Sequence, residues 1–376
     1  MNDYARDLDF LAAHGIGTIE LTDPAGEARV CLVPAWQGRV MTSTAAGRSG
    51  SSFGWLNRPL IASGAVRPQF NPVGGEERFW LGPEGGPFSL YFAPGAAQTY
   101  AEWQVPAALD RESFEVAEQS RKHVRFTHRA VFRNASGSRF DAGIDRRVTL
   151  LLPEETDMEW PAEVHAVGYR SENRIINRGA ESWTSRSGAP SIWMLGMFPP
   201  SPATTVFLPY DPTAPGKTIV NSDYFGALPA DRLAVGDGLV CLRIDGAFRS
   251  KIGLPCGRDR GICGSYDAMT RTLTLIRYER SRPGDRYVES RWGDQADPFG
   301  GDVVNAYNDG PTETGEVMGP FFEIETSSPA AFLHPGGELC HTQEVFHFQG
   351  PEQALDAIIK GLLSAALGKI KNSFNC

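Results

Sequence analysis

The segment His123–Arg133 constrains this chain more than any other. Val124, Phe126, Ala130 and Phe132 fall on one side of a period-2 pattern, and Arg125, Thr127, Arg129 and Arg133 on the other, which is the alternation of a strand with one face buried and one wet. Segments of the same kind recur at Ala28–Val33, Arg147–Leu152, Leu239–Ile244, Thr272–Tyr278 and Leu339–Phe348, each bounded by Gly, Pro, Asn or Asp. Strands that follow one another without intervening helices pair antiparallel and stack as sheets. The 41 Gly and 27 Pro act in the same direction, since in a helix interior they cost about 1 and 3 kcal/mol each. The expected fold class is therefore all-β: a large antiparallel β-sandwich with short peripheral helices.

Two segments break the period. Asp3 to His14 reads as a short helix within an N-terminal extension over 1–16, and 351–370 reads as a longer one. In the latter Leu355, Ile358, Ile359, Leu362, Leu363 and Leu367 recur at spacings of three and four, a stripe suited to docking on a sheet. No Pro/Ser linker, charge block or internal repeat divides the chain, so 1–376 is expected to be a single sandwich domain.

With 36 basic and 45 acidic residues the formal charge is −9, which argues against a protein that tracks phosphates along nucleic acid. The opening residues carry Asp3, Asp7 and Asp9 and no long apolar run, so neither a secretory signal nor a membrane helix is expected, and the location expected is cytoplasmic with no membrane or nucleic-acid partner. Cys31, Cys241, Cys256, Cys263, Cys340 and Cys376 form no CxxC pair; free, mostly buried thiols are expected.

Five segments hold residues capable of chemistry. "NPVGGEERFWLGPEGGPFSLYF" (71–92) sets Glu76, Glu77, Arg78 and Trp80 between two Gly pairs. Sugar hydroxyls need bidentate polar partners and the pyranose C–H face an aromatic platform; a surface Glu–Arg pair beside a core Trp explains the same letters. "SWTSRSGAPSIWMLGMFPP" (182–200) adds Trp193, a core anchor or a stacking surface. "DVVNAYNDGP" (302–311) contains Asp302, Asn305, Asn308 and Asp309, oxygen donors of the kind that hold calcium, although Asn-Asp-Gly is also an ordinary turn. "FRSKIGLP" (248–255) supplies Lys251. Finally, if Phe321–Thr326 is a strand, Glu323 and Glu325 share a face, and two carboxylates there are costly to bury unless paired or functional.

At this last segment the chain resembles the galactose mutarotase-like superfamily, the aldose 1-epimerases and their relatives. "IET" at 324–326, "PGGE" at 335–338 and "HT" at 341–342 match that family's "LET", "PGE" and His-Thr signatures, and the resemblance places Glu325 on the catalytic base. "GGEERFWLGPEGG", "SIWMLGMF", "RSKIGLP" and "NAYNDGP" are similar to an uncharacterised bacterial family within it, over about Leu21–Gly350. The resemblance implies a supersandwich fold and a small-molecule carbohydrate partner. In a mutarotase a carboxylate takes the anomeric proton while an acid, typically His, protonates the ring oxygen. Here "SIWMLGMF" stands where that His would lie, and no His occurs between His165 and His334.

The expectation is thus a sugar-binding sandwich with no cofactor, or calcium at most. Glu325 would be the base, Arg78 and Lys251 the polarising cations, and Glu77, Trp80, Trp193, Asn308 and Asn57 the substrate contacts. A non-catalytic sugar-binding protein and a glycan lyase or hydrolase are the alternatives on the same fold.

Overall fold

The computed structural model describes residues 3–216, 218–312, 315–363 and 365–374. Its framework is two antiparallel sheets. The larger has ten strands in the order Leu233–Gly236, Leu239–Ile244, Thr204–Pro209, Ile262–Asp267, Thr272–Tyr278, Glu338–Gln349, His165–Asn177, Arg139–Leu151, His123–Arg133 and Glu115–Gln119. The smaller has five: Ser250–Pro255, Asp302–Asn308, Phe322–Ser327, Ser191–Phe198 and Arg78–Gly82. A three-stranded meander, Ile19–Thr22, Arg29–Val33 and Arg39–Thr44, joins them near the N-terminus. The expected large β-sandwich is observed, and the alternation read at His123–Arg133 is the burial pattern of that strand, with Val124, Phe126 and Phe132 buried.

The main core lies between the sheets. Val124, Phe126, Val148, Val206, Ile276 and Val345 from the large sheet meet Ile252, Val304, Ala306, Phe322, Ile324 and Phe198 from the small one. Within it sits a polar network. Arg146, fully buried, donates to Glu77 Oε1 at 2.6 Å, and Ser171 Oγ and Gln343 Nε2 donate to Glu77 Oε2 at 2.9 and 2.7 Å. Buried charges persist only when paired and hydrogen-bonded in this way.

The outer face of the large sheet is covered where Phe207, Tyr266, Leu275 and Phe346 receive Leu355, Ile358, Ile359, Leu367 and Ile370. Each fully buried Leu or Ile of that stripe is worth roughly 1.5–3 kcal/mol. The continuous helix expected over 351–370 is two helices, Glu352–Leu363 and Leu367–Lys371. Asp356 Oδ1 accepts from the Leu367 amide at 2.8 Å and so satisfies a donor at the second helix's start. At the other end Asp3 caps the helix Tyr4–Ala13 through the Ala5 amide. No helix among the described residues is long and apolar enough to cross a membrane. Cys31, Cys241 and Cys263 are buried free thiols, Cys256 and Cys340 are half-buried, and Cys376 lies outside the described residues.

Candidate functional site

Strand alternation builds the site on the face of the small sheet that points away from the large one. Register places Asn305, Glu325, Leu195 and Arg78 in one row across four strands, and Lys251, Tyr307, Glu323 and Met197 in the next. The intervening residues, Ile252, Val304, Ala306 and Ile324, face the core. Polar and charged side chains thus occupy alternate positions of strands that are buried on both faces, because loops cover the outer face as well.

Glu325 is the centre. It is 1% exposed; its Oε2 accepts from Lys251 Nζ at 2.9 Å and from Trp193 Nε1 at 2.9 Å, while its Oε1 is buried with no hydrogen-bond partner among the described residues. Burial would lower the Lys251 ammonium, but the Glu325 and Glu84 carboxylates outweigh it and hold Lys251 above its ordinary value. Two residues away, Glu323 forms an ion pair with Arg78. Burial pushes the Glu323 carboxyl up to about 7 against the pull of Arg78, with Glu325 adding to the rise. Arg78 lies 4.3 Å over the Trp80 ring, and its Nε and Nη1 are buried without hydrogen-bond partners among the described residues. Two cations and two carboxylates are therefore interleaved in a site removed from water, where their mutual interactions are strong.

A long connection, 211–232, and the loop 279–301 close this face. Tyr224 donates to Asp302 Oδ2 at 2.5 Å and accepts from Asn305 Nδ2 at 3.1 Å, and Asn221 Nδ2 donates to Asp302 Oδ1 at 2.7 Å. The Tyr224 ring stands 5.5 Å from Lys251 Nζ. Burial, offset by the Tyr224 and Asn221 bonds, pushes Asp302 up to about 6. The space left among Trp193, Lys251, Tyr224, Asp302 and Asn305 is about 10 Å³, room for one water.

Glu325, Lys251, Arg78 and Trp193 from the sequence reading therefore share one face. The other four candidates do other work. Glu77 is one residue out of phase with Arg78 and points between the sheets into the Arg146 network. Asn308 is out of phase with Asn305 and Tyr307; it fastens the loop at 245–248, accepting from Gly246 N and donating to Phe248 O. Asn57 is the N-cap of the helix Arg58–Ser63, accepting from Leu60 N. Trp80 is buried beneath Arg78, donates to Leu109 O at 3.0 Å and meets Trp193 edge-on, so its ring faces are occupied. The four oxygen donors read as a calcium set do not converge: Asp309 accepts from Tyr307 Oη and Gly319 N, Asn308 points to the 245–248 loop, and only Asp302 and Asn305 border the cavity. Among the described residues no three His, Cys, Asp or Glu side chains are grouped to hold a metal.

Two residues beside the site are not among those the sequence points to. Glu84, from the GPEGG turn, has its carboxyl raised by removal from water, lowered by Lys251 and raised again by Glu325. Its place between two Gly pairs was the available signal. Tyr224 comes from an irregular connection whose sequence carries no motif.

Residues 2–374 match a family of unknown function (DUF6786), and the chain belongs to it. No curated protein matches the sequence. The Slr1438 protein of Synechocystis sp. PCC 6803 is similar over 89% of this chain and 96% of that one, at 14% identity and a TM-score of 0.54, which is a likeness of fold. A putative aldose 1-epimerase from Escherichia coli K12 is similar at 12% identity, covering 89% and 99% of the two chains with a TM-score of 0.49. A galactose mutarotase-like protein from Lactobacillus casei ATCC 334 is similar at 12% identity, covering 88% and 100% with a TM-score of 0.48. The fold shared with the Slr1438 structure is a large antiparallel β-sandwich.

Proposed function

We propose that this member of the family binds a sugar over the outer face of the small sheet and moves a proton there, the reaction being 1-epimerisation of an aldose with Glu325 as general base. The observation that carries the reading is the buried, unpartnered Glu325 Oε1. Leaving such an acceptor unsatisfied costs about 1–3 kcal/mol, and a ligand hydroxyl is a group that relieves it. Ring opening also needs an acid for the ring oxygen. Glu323, pushed up to about 7, has a proton to give near neutrality and occupies the role left open by the missing His. Arg78, with two unpartnered donors, would bind substrate oxygens. A pyranose does not fit the 10 Å³ now open, so binding displaces Tyr224 and its connection.

Binding without turnover is the second reading. It is favoured by the direct Lys251–Glu325 contact, which offsets the charge a base would use. Anomer interconversion across a panel of aldoses, followed by NMR, tests the first reading: it should exceed the buffer rate and fall about a hundredfold or more in Glu325→Gln. Rates equal to buffer for every sugar, or unchanged in the variant, remove it; calorimetric binding of the same sugars then decides the second.

A further inference from the structure

We propose a second binding site, separate from Glu325: a cleft between the two sheets that receives a neutral polyhydroxylated ligand, a monosaccharide or polyol. The cavity is about 320 Å³, against about 10 Å³ beside Lys251, and falls in the range of small-molecule sites.

Its origin is a change of residue type at one end of the large sheet. Four strands facing the core switch there from apolar to polar along the same face: Val206 gives way to Thr204, Cys263 to Ser265, Ile276 to Thr274 and Val345 to His347. Register sets Ser265, Thr274 and His347 side by side. Opposite them the small sheet presents Phe198 and Phe322, followed by Pro199 and Pro200. Small hydroxyl side chains facing rings leave the sheets unable to close on each other, where close packing is the rule.

The lining selects the ligand. Hydroxyls on one wall can each donate and accept, and aromatic and proline surfaces on the other suit the C–H face of a sugar. Among the described residues no Lys or Arg lines the cleft, so an anion finds no cationic partner there. His347 braces the polar wall from beside it: His347 Nδ1 is 2.9 Å from Thr274 Oγ1, its Nε2 is 3.3 Å from Glu76 Oε1, and its ring stacks on Phe53 at 4.4 Å. At the mouth, Asp267 accepts from Ser201 Oγ and Thr270 Oγ1 at 2.9 and 3.0 Å, and Gln349 donates to Thr272 Oγ1 at 3.3 Å. Fixed donors and acceptors of this kind lower the ordering cost of binding.

Saturation-transfer NMR on the full chain with D-glucose, D-galactose and sorbitol, each at about 10 mM to detect millimolar binding, tests the site. At least one probe should bind both the wild type and Glu325→Gln, and bind at least tenfold more weakly when Ser265→Leu, which fills the cleft, is added to Glu325→Gln. Thr204→Val removes a hydroxyl at nearly constant volume and takes the place of Ser265→Leu if that variant fails to fold, as thermal unfolding will show. No transfer from any probe, transfer abolished by Glu325→Gln, or an affinity unchanged in a folded cleft variant overturns the proposal.

Discussion

Lys251 and Glu325, 74 residues apart in sequence, meet at 2.9 Å with side chains 10% and 1% exposed. They belong to strands separated by a third, Asp302–Asn308, and sit diagonally across it. Both charges are almost wholly removed from bulk water, so each makes the other's burial tolerable.

Removing one partner should therefore cost more than neutralising the pair. Lys251→Met is expected to destabilise the fold by about 3–5 kcal/mol, because Glu325 is left as an uncompensated buried charge. Lys251→Met combined with Glu325→Gln should recover part of that loss. Urea unfolding of the three proteins measures it, and equal stability of Lys251→Met and wild type would refute the coupling.

Glu323 makes stability depend on pH. Its folded value is raised to about 7 from an ordinary 4.5, so between those values the folded state holds a proton that the unfolded state has released. The stabilisation is present below about pH 4.5 and is lost as pH rises through about 7. Glu323→Gln should flatten that part of the stability profile, read as melting temperature against pH; a profile identical to wild type contradicts the assignment. Asp302, raised to about 6, adds a slope of the same sign over a lower window.

Asp302 also ties down the connection over the site. Asp302→Ala releases Tyr224 and Asn221 and should raise proteolytic cleavage within 211–232 at least severalfold, with a global loss of about 1–3 kcal/mol for the stranded partners. Cleavage at the wild-type rate would show that other contacts hold the segment.

Glu77 is expected to matter for folding and not for sugar contact. Glu77→Leu leaves Arg146 buried with its ion pair broken and should cost about 3–5 kcal/mol, whereas Arg146→Met with Glu77→Leu should be far less damaging. Denaturant midpoints compare the two, and a full-strength loss in the double variant would argue against a purely local pair.

The sequence by itself determined the sheets and their faces. Alternation at His123–Arg133 and the Gly/Pro-bounded runs specify strands because a period of two is a local property of the extended backbone. The same rule puts Glu323 and Glu325 on one face whatever their partners. The tertiary structure decided which neighbours those faces meet. Glu77 and Arg78 are adjacent in the chain, yet one turns into the core network and the other to the outer face. Asn308 and Asn305 divide in the same way. Pairing across strands, and loops such as 211–232 that bring Tyr224 over Lys251, depend on contacts between residues far apart in sequence. The polar end of the inter-sheet face is invisible in any one strand for the same reason: Thr204, Ser265, Thr274 and His347 form a wall only once four strands lie side by side.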